Sequence, residues 1–223
     1  MCGRFTNVLT WGELVKLYRL TADRPALNLP ARYNIAPTQD IPIVRLDGAG
    51  GRELVMARWG LVPRWAEDIK IGYKLINARA ETVDEKPSFK DAFRRRRCLI
   101  PATGYFEWKT TATGKQPYLF APAEGGAWSF AGLWERNDRA GQAVESCTII
   151  VGPANDLARE IHDRMPVILD AAEHETWLGS ADPGAIKALL RPYPAVRMRS
   201  YPVSTRVGNV RNDDADLIQE ISI

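Results

Sequence analysis

Residues 97–134, RCLIPATGYFEWKTTATGKQPYLFAPAEGGAWSFAGLW, contain four short runs rich in β-branched and aromatic side chains. The runs cover 97–101, 105–109, 118–121 and 128–134, and glycine and proline residues lie at their borders. This pattern is typical of β-strands separated by turns. Residues 97–134 therefore predict four strands in succession, with no helix between them.

The flanking sequence predicts four further strands and five helices. We expect strands at 41–46, 53–59, 147–151 and 165–169, and helices at 11–20, 88–95, 155–161, 171–178 and 183–190. Thr10 and Glu13 fit a capping box for the first helix, and Asn155 is the candidate cap of the third. Three prolines within residues 21–40 predict an extended, ordered loop.

The order of the elements indicates the fold class. Strands outnumber helices, and the helices fall between groups of strands instead of alternating with each strand, which favours an α+β fold over a doubly wound one. We expect one domain over residues 1–223. Its core would be a strongly curved, largely antiparallel, barrel-like β-sheet with flanking helices.

The composition is that of a globular protein, with 45% hydrophobic and 26% charged residues. No apolar run approaches the roughly 20 residues that span a bilayer, and the N-terminus lacks the apolar core of a signal peptide, so we expect a cytoplasmic protein without a membrane partner. A formal net charge of +3 does not by itself predict nucleic-acid binding. The three widely spaced cysteines, Cys2, Cys98 and Cys147, are expected to be free thiols, the last two structural.

Cys2 carries the most chemical information. Removal of Met1, which is usual before a small second residue, would expose an α-amine and a thiol on adjacent carbons. The amine has a reference pKa of about 7.7–8.0 against about 10.4 for lysine, so much more of it is neutral near pH 7.5. Such an amine condenses with an aldehyde to an imine, and the thiol can close a five-membered thiazolidine in an intramolecular step. The alternative is a small buried cysteine without chemistry.

Three more residues are catalytic candidates. Glu107 lies in an apolar strand, where burial would raise its pKa and suit general acid and base catalysis. His162 stands at a helix–strand junction, and Asn77 can both donate and accept hydrogen bonds. An outward-facing glutamate, a structural histidine and a turn asparagine are the respective alternatives. His174 is predicted to be a surface residue, and two histidines without a close cysteine pair do not favour a metal site.

A nucleic-acid surface is a further hypothesis. Four polar residues near these candidates could bind phosphates, namely Arg4, Asn34, Arg79 and Arg164. Pro37, Trp65 and Trp108 could stack on bases or sugars. Basic side chains interleaved with aromatic ones are usual in proteins that bind single-stranded nucleic acid. Core tryptophans and a solvated basic face are the alternatives.

Six short motifs follow one another along the chain: MCGRF at 1–5, RYNIAP at 32–37, WGLVP at 59–63, INARAE at 76–81, GYFEW at 104–108 and IHDRMP at 161–166. In this order they resemble the SRAP family of SOS response-associated peptidase-like proteins, which includes bacterial members and eukaryotic sensors of abasic sites. Residues 203–204, 207–210 and 217–218 add to the resemblance, which covers essentially the whole chain.

The resemblance implies capture of abasic sites in single-stranded DNA, without a cofactor. Mature Cys2 would form a thiazolidine crosslink with the aldehyde of the ring-opened sugar. Glu107 would act as acid and base in imine formation and in crosslink reversal, which could include lyase activity. His162 would assist ring opening and proton transfer, and Asn77 would position Cys2 and the sugar. The family name also implies autopeptidase removal of Met1 by Cys2.

The resemblance likewise implies that the four residues Arg4, Asn34, Arg79 and Arg164 hold DNA phosphates. One departure concerns stacking, because Ala66 stands where relatives can carry a second aromatic residue after the tryptophan that matches Trp65. Stacking beside the lesion is therefore expected to differ. We expect a monomer that acts in the cytoplasm, associated with the nucleoid on damaged DNA. A non-catalytic single-strand binding module and a cysteine peptidase that uses Cys2 and His162 are the alternative functions.

Overall fold

The computed structural model describes residues 2–20 and 27–222. The strands are β1 Phe5–Asn7, β2 Arg32–Ile35, β3 Asp40–Leu46, β4 Arg52–Trp59, β5 Asn77–Arg79, β6 Arg97–Ala102, β7 Gly104–Thr111, β8 Gly114–Pro122, β9 Trp128–Asn137, β10 Val144–Pro153, β11 Arg164–Pro166, β12 Ile168–Leu169 and β13 Met198–Pro202. The α-helices are α1 Trp11–Tyr18, α2 Lys90–Arg95, α3 Asp156–Arg159, α4 His174–Gly179 and α5 Pro183–Ala188. Short 3-10 helices occupy 69–74, 171–173, 195–197, 205–208 and 215–218.

Five strands close into a barrel. Antiparallel pairing runs from β4 through β3, β6 and β9 to β10. The ring closes because β10 also pairs with β4 in parallel, where Ser146 lies opposite Arg58. The expected α+β fold with a curved, barrel-like and largely antiparallel sheet is thereby confirmed.

A second sheet, with the order β13-β8-β7-β1-β2, contains only antiparallel pairs. In it β1 pairs with β7, with Phe5 opposite Tyr105 and Thr6 opposite Gly104. Gly104 has to be a glycine, because a Cβ there would lie 2.7 Å from the carbonyl oxygen of Phe120. Because residue 104 has no Cβ, β7 can pack closely against both β8 and β1. The pairing with β1 holds the start of the chain beside β7.

An apolar cluster between the barrel and the second sheet positions the site. Tyr105 stacks on Phe120 with ring centroids 4.8 Å apart, and Cys2 is buried in the same cluster. Ile76 and Ile161, the residues before two of the catalytic candidates, pack against it. The three cysteines are free thiols, as expected, and all three are buried.

Several local predictions are confirmed. The helix that begins at Trp11 has the Thr10–Glu13 capping box, and it ends at Tyr18, followed by Arg19 as the C-cap residue with a left-handed φ of 53°. The Asn155 side chain caps α3 by accepting a hydrogen bond from the backbone N–H of Ala158, with N···O at 2.9 Å. The eight predicted strand regions all form strands, although 165–169 splits into β11 and β12, which pair with different neighbours.

Other predictions need correction. The segment 21–40 is not a loop throughout, because β2 lies within it and pairs with β1; residues 21–26 lie outside the described part of the chain. Strands β1, β5 and β13 were not predicted. Within the described residues, no helix is long and apolar enough to cross a membrane.

The surface position predicted for His174 is wrong. The side chain is 1% exposed and stacks on Tyr18 with ring centroids 5.4 Å apart. Burial lowers the pKa of His174 to about 4, with a further contribution from the charge of Arg52. The imidazole of His174, the first residue of α4, is therefore a neutral group in the core.

Candidate functional site

Cys2 and Glu107 are brought together by the pairing of β1 with β7. The backbone N–H of Phe106 donates to the carbonyl oxygen of Arg4, with N···O at 3.0 Å, so the antiparallel alignment continues from Phe5 towards the chain start. Cys2 is 0% exposed and Glu107 is 4% exposed. Burial, and next the charge of Glu107, raise the pKa of the Cys2 thiol well above its ordinary value. The thiol is therefore protonated at neutral pH and has a carboxyl group beside it.

Glu107 also interacts with the residues that follow α3. Burial raises its pKa, while the charge of His162 lowers it and that of Asp163 raises it. His162 is held by its own backbone, whose N–H donates to the carbonyl of Ala158 at 2.9 Å. Its Nδ1 lies 3.0 Å from both the backbone nitrogen of Arg164 and Oδ1 of Asp163. Glu107 therefore stands within electrostatic range of both Cys2 and His162.

Asn77 reaches the site from the barrel. It opens β5, which runs parallel to β10, with Asn77 opposite Ile149. Its Nδ2 donates to the carbonyl of Ile76 at 3.0 Å, and the same carbonyl accepts from Nε1 of Trp59 at 2.9 Å. Its Oδ1 is buried without a hydrogen-bond donor among the described residues. A fixed amide with an unpartnered acceptor is suited to accept a hydrogen bond from a substrate hydroxyl or amine.

Arg4 is held in place by the C-terminal segment. Its Nη1 donates to Oδ1 of Asn34 at 2.8 Å and to the carbonyl of Val207 at 2.7 Å, and its guanidinium lies 5.9 Å from the ring of Trp108. Asn34 is 0% exposed. Its Nδ2 donates to three carbonyls, those of Val207, Asn209 and Asn212, at 2.8–3.2 Å. In the free protein Asn34 therefore binds Arg4 and the C-terminal loop, and its side chain does not face solvent.

The other two arginines flank the end of β10. Val151 pairs with Arg79 of β5 on one side and with Pro166 of β11 on the other, which brings Arg79 and Arg164 to one end of the barrel. Both line a cavity of about 610 Å³, together with Asn77 and Glu81. Arg164 forms a salt bridge with Glu81, a residue to which the sequence assigned no role of its own.

The aromatic and proline candidates differ in exposure. Trp65 is 51% exposed, and its loop is held by Asn137, whose Nδ2 donates to the carbonyls of Pro63 and Ala66 at 2.6 and 2.9 Å. Ala66 is buried, so of these two residues Trp65 is the one whose side chain a ligand can reach. Trp108 is half-buried against the core.

Pro37 is half-buried in the turn between β2 and β3. The next residue, Thr38, has a left-handed φ of 74°, which is uncommon for a residue other than glycine. The turn is tied to β4, because Thr38 N–H donates to the carbonyl of Trp59 at 2.8 Å and Arg58 Nη1 donates to the carbonyl of Thr38 at 2.7 Å. Pro37 is therefore a fixed apolar edge.

The fold and site together define an α+β barrel protein in which the pairing of the first β-strand places a buried cysteine beside a buried glutamate, with a histidine within electrostatic range of that glutamate. A cavity lined by an asparagine and basic side chains lies at one end of the barrel. Residues 1–210 match the family model described as SOS response associated peptidase (SRAP), and the chain therefore belongs to that family.

Relatives and a solved structure support this assignment. The chain is 41% identical over 223 residues to the abasic site processing protein YoqW of Bacillus subtilis, covering 98% of this chain and 99% of that protein. It is 30% identical over 227 residues to the abasic site processing protein YedK of Escherichia coli, covering 99% of this chain and all of that protein. A crystal structure of a protein from Bacteroides thetaiotaomicron superposes with a TM-score of 0.89 at 28% identity, covering 99% of this chain and all of that one.

Proposed function

We propose that this protein processes abasic sites in single-stranded DNA by forming a covalent crosslink through Cys2. The observation that carries the proposal is the burial of the Cys2 thiol beside Glu107. Glu107 is in turn within electrostatic reach of His162. The names of the relatives support abasic sites as the substrate. An abasic sugar in its ring-opened form carries an aldehyde, the group that an N-terminal cysteine captures best.

The first step needs the α-amine of Cys2, and therefore removal of Met1. The neutral amine attacks the aldehyde carbon, and loss of water leaves an imine. Burial raises the pKa of Glu107, so its carboxyl holds a proton more readily than an exposed one and can deliver it to the departing hydroxyl. Asn77 contributes an acceptor to orient the sugar or the amine, through the buried Oδ1.

The second step closes the ring. The thiol sulfur adds to the imine carbon, its proton passes to the imine nitrogen, and a thiazolidine results without any further reactant. Burial keeps the proton on the thiol until the reaction, so a base must remove it. Glu107, ionised after the first step, is the candidate base because its charge acts on the thiol, and His162 assists proton transfer and opening of the sugar.

DNA is held by the residues around this cluster. Arg4, Arg79 and Arg164 bind phosphates, while Trp65, Trp108 and Pro37 contact bases and sugars. Asn34 is assigned a positioning role, because its four hydrogen bonds go to Arg4 and to the C-terminal loop. Single strands are favoured because unpaired bases can stack on aromatic rings.

The test uses a single-stranded oligonucleotide with one abasic site, mixed with mature protein and separated under denaturing conditions. We expect an adduct whose mass equals protein plus oligonucleotide minus one water. Cys2→Ala keeps an N-terminal amine, so it should give an adduct only after borohydride reduction of the imine. Cys147→Ala removes a different buried thiol and should crosslink normally. A stable adduct with Cys2→Ala in the absence of reductant contradicts the mechanism.

The peptidase alternative is less compatible with the electrostatics. Thiol peptidases lower the pKa of their cysteine to form a thiolate, whereas burial and Glu107 raise that of Cys2. A peptidase would cleave peptides in the absence of DNA. A purely non-covalent binder would leave no adduct and would show only salt-dependent affinity.

A further inference from the structure

Glu81 interacts with the two arginines at the end of the barrel. Its carboxylate forms a salt bridge with Nη1 of Arg164. Burial raises the pKa of Glu81, but a hydrogen bond from its own backbone, the hydrogen bond from Arg164 and the charges of Arg164 and Arg79 together lower it below its ordinary value. Glu81 side-chain exposure is 43% and that of Arg164 is 23%, so the pair lies at the mouth of the cavity that Asn77 also lines.

This cavity has the chemical character of an anion site. Its lining includes four cationic side chains and one carboxylate, which are Lys74, Arg79, Lys86, Arg164 and Glu81. Hydroxyl groups of Thr82 and Ser88 also line it. Carboxylates and phosphates bind a guanidinium fork in the same way, through charge-assisted hydrogen bonds. Glu81 therefore occupies a position on Arg164 that a DNA phosphate would take.

We propose that Glu81 is an internal competitor of DNA phosphate for Arg164, which lowers the affinity for undamaged single strands. The inference rests on the proposed function. A phosphate that binds Nη1 of Arg164 has to displace the carboxylate, and one that binds elsewhere on the guanidinium lies near its negative charge, so non-covalent binding is weakened in either case. Stable attachment then depends on the covalent step at Cys2, which only an abasic site permits.

The deciding experiment measures equilibrium binding of an undamaged single-stranded oligonucleotide to Glu81→Gln over a range of salt concentrations. We expect about 1.5- to fivefold tighter binding than wild type, the factor that corresponds to an exposed ion pair. The slope of log affinity against log salt should steepen by about 0.7, because one more cation is available to a phosphate.

Glu175→Gln is the matched control. Glu175 forms a salt bridge with Arg52, with N···O at 3.0 Å, and its side chain is 83% exposed on α4. The substitution changes net charge by the same amount, but it lies outside the cavity lined by Asn77. Its effect on affinity measures the contribution of overall charge, and we expect it to be smaller than that of Glu81→Gln.

A double variant tests the route of the effect. In an Arg164→Gln background, Glu81→Gln should strengthen binding no more than Glu175→Gln does. Weaker or unchanged binding by Glu81→Gln overturns the inference. Weaker binding would mean that Glu81 orients Arg164 for the phosphate, and unchanged binding would mean that Glu81 does not compete with it. Crosslinking is measured separately on abasic DNA. If wild type binds DNA without crosslinking, the proposed function is wrong. The role of Glu81 is decided separately, by the affinities for undamaged DNA.

Discussion

Asn34 offers the sharpest separation of structural from DNA-binding roles. Its side chain is buried and makes four hydrogen bonds, one from Arg4 and three to carbonyls between residues 207 and 212. Asn34→Ala removes all four. Asn34→Asp keeps the size of the side chain and the acceptor for Arg4, but it replaces the donor that serves three carbonyls with an oxygen.

The magnitude follows from the hydrogen bonds. A typical internal hydrogen bond contributes about 0.5–1.5 kcal/mol net, so the loss of four corresponds to about 2–6 kcal/mol of unfolding free energy for Asn34→Ala. Asn34→Asp should lose a comparable amount at neutral pH, because its carboxylate faces carbonyl oxygens. Chemical denaturation with urea measures both values.

Binding then tests how Asn34 influences DNA. If Asn34 acts through Arg4, the double variant Arg4→Ala with Asn34→Ala should bind single-stranded DNA as weakly as Arg4→Ala alone, at a temperature where circular dichroism shows both to be folded. A direct contact between Asn34 and DNA would give additive losses. Wild-type stability in Asn34→Asp, or additive losses in the double variant, would refute the reasoning.

Three further predictions concern the site and the core. Glu107→Gln should slow crosslinking by about 100- to 10,000-fold in single-turnover assays, and equal rates would remove Glu107 from the mechanism. Because burial raises the pKa of Glu107, the folded protein loses stability as the pH rises through the folded pKa of this carboxyl. The variant should therefore also melt at a higher temperature than wild type at pH 7. The pKa of His174 is lowered from 6.5 to about 4, so the unfolding free energy should fall by up to about 3 kcal/mol as the pH drops between these two values. His174→Phe should lessen this acid sensitivity, as measured by denaturation at a series of pH values. Trp65→Ala should leave the melting temperature nearly unchanged and weaken single-strand binding by about 1–3 kcal/mol by fluorescence titration, whereas unchanged affinity would exclude Trp65 from the DNA surface.

The predictable part of the fold is the part that local composition dictates. The apolar runs that became β3, β4, β6, β7, β8, β9 and β10 could be recognised because each buries its own side chains, in the barrel or, for β7 and β8, in the second sheet. Strands β1, β2 and β5 have only three or four residues, and their pairing depends on partners far along the chain. No local pattern contains that information.

The site divides in the same way. Sequence motifs indicated Cys2, Glu107 and His162 because their chemistry is visible in the residue type. The burial of Asn34 was not predictable, since its partners lie 173–178 positions away. His174 was misjudged from its glutamate neighbours, although its spacing of three from buried Trp177 places both on one face of α4 and could have revealed the burial.

The electrostatics of the cluster fix the order of the proposed steps. Burial raises the pKa of the Cys2 thiol, so the resting site holds a thiol instead of a thiolate, and burial raises the pKa of Glu107 as well. A protonated thiol is a poor nucleophile, which leaves the N-terminal amine to attack first, and the same amine is absent until Met1 is removed. Once the imine exists, the sulfur on Cβ of Cys2 is next to the Cα that carries the imine nitrogen. Ring closure is then intramolecular and does not need a thiolate formed in advance. This charge pattern agrees with the proposed capture of an aldehyde by the amine, whereas repeated cleavage of peptide bonds by the thiol would need the opposite pKa shift.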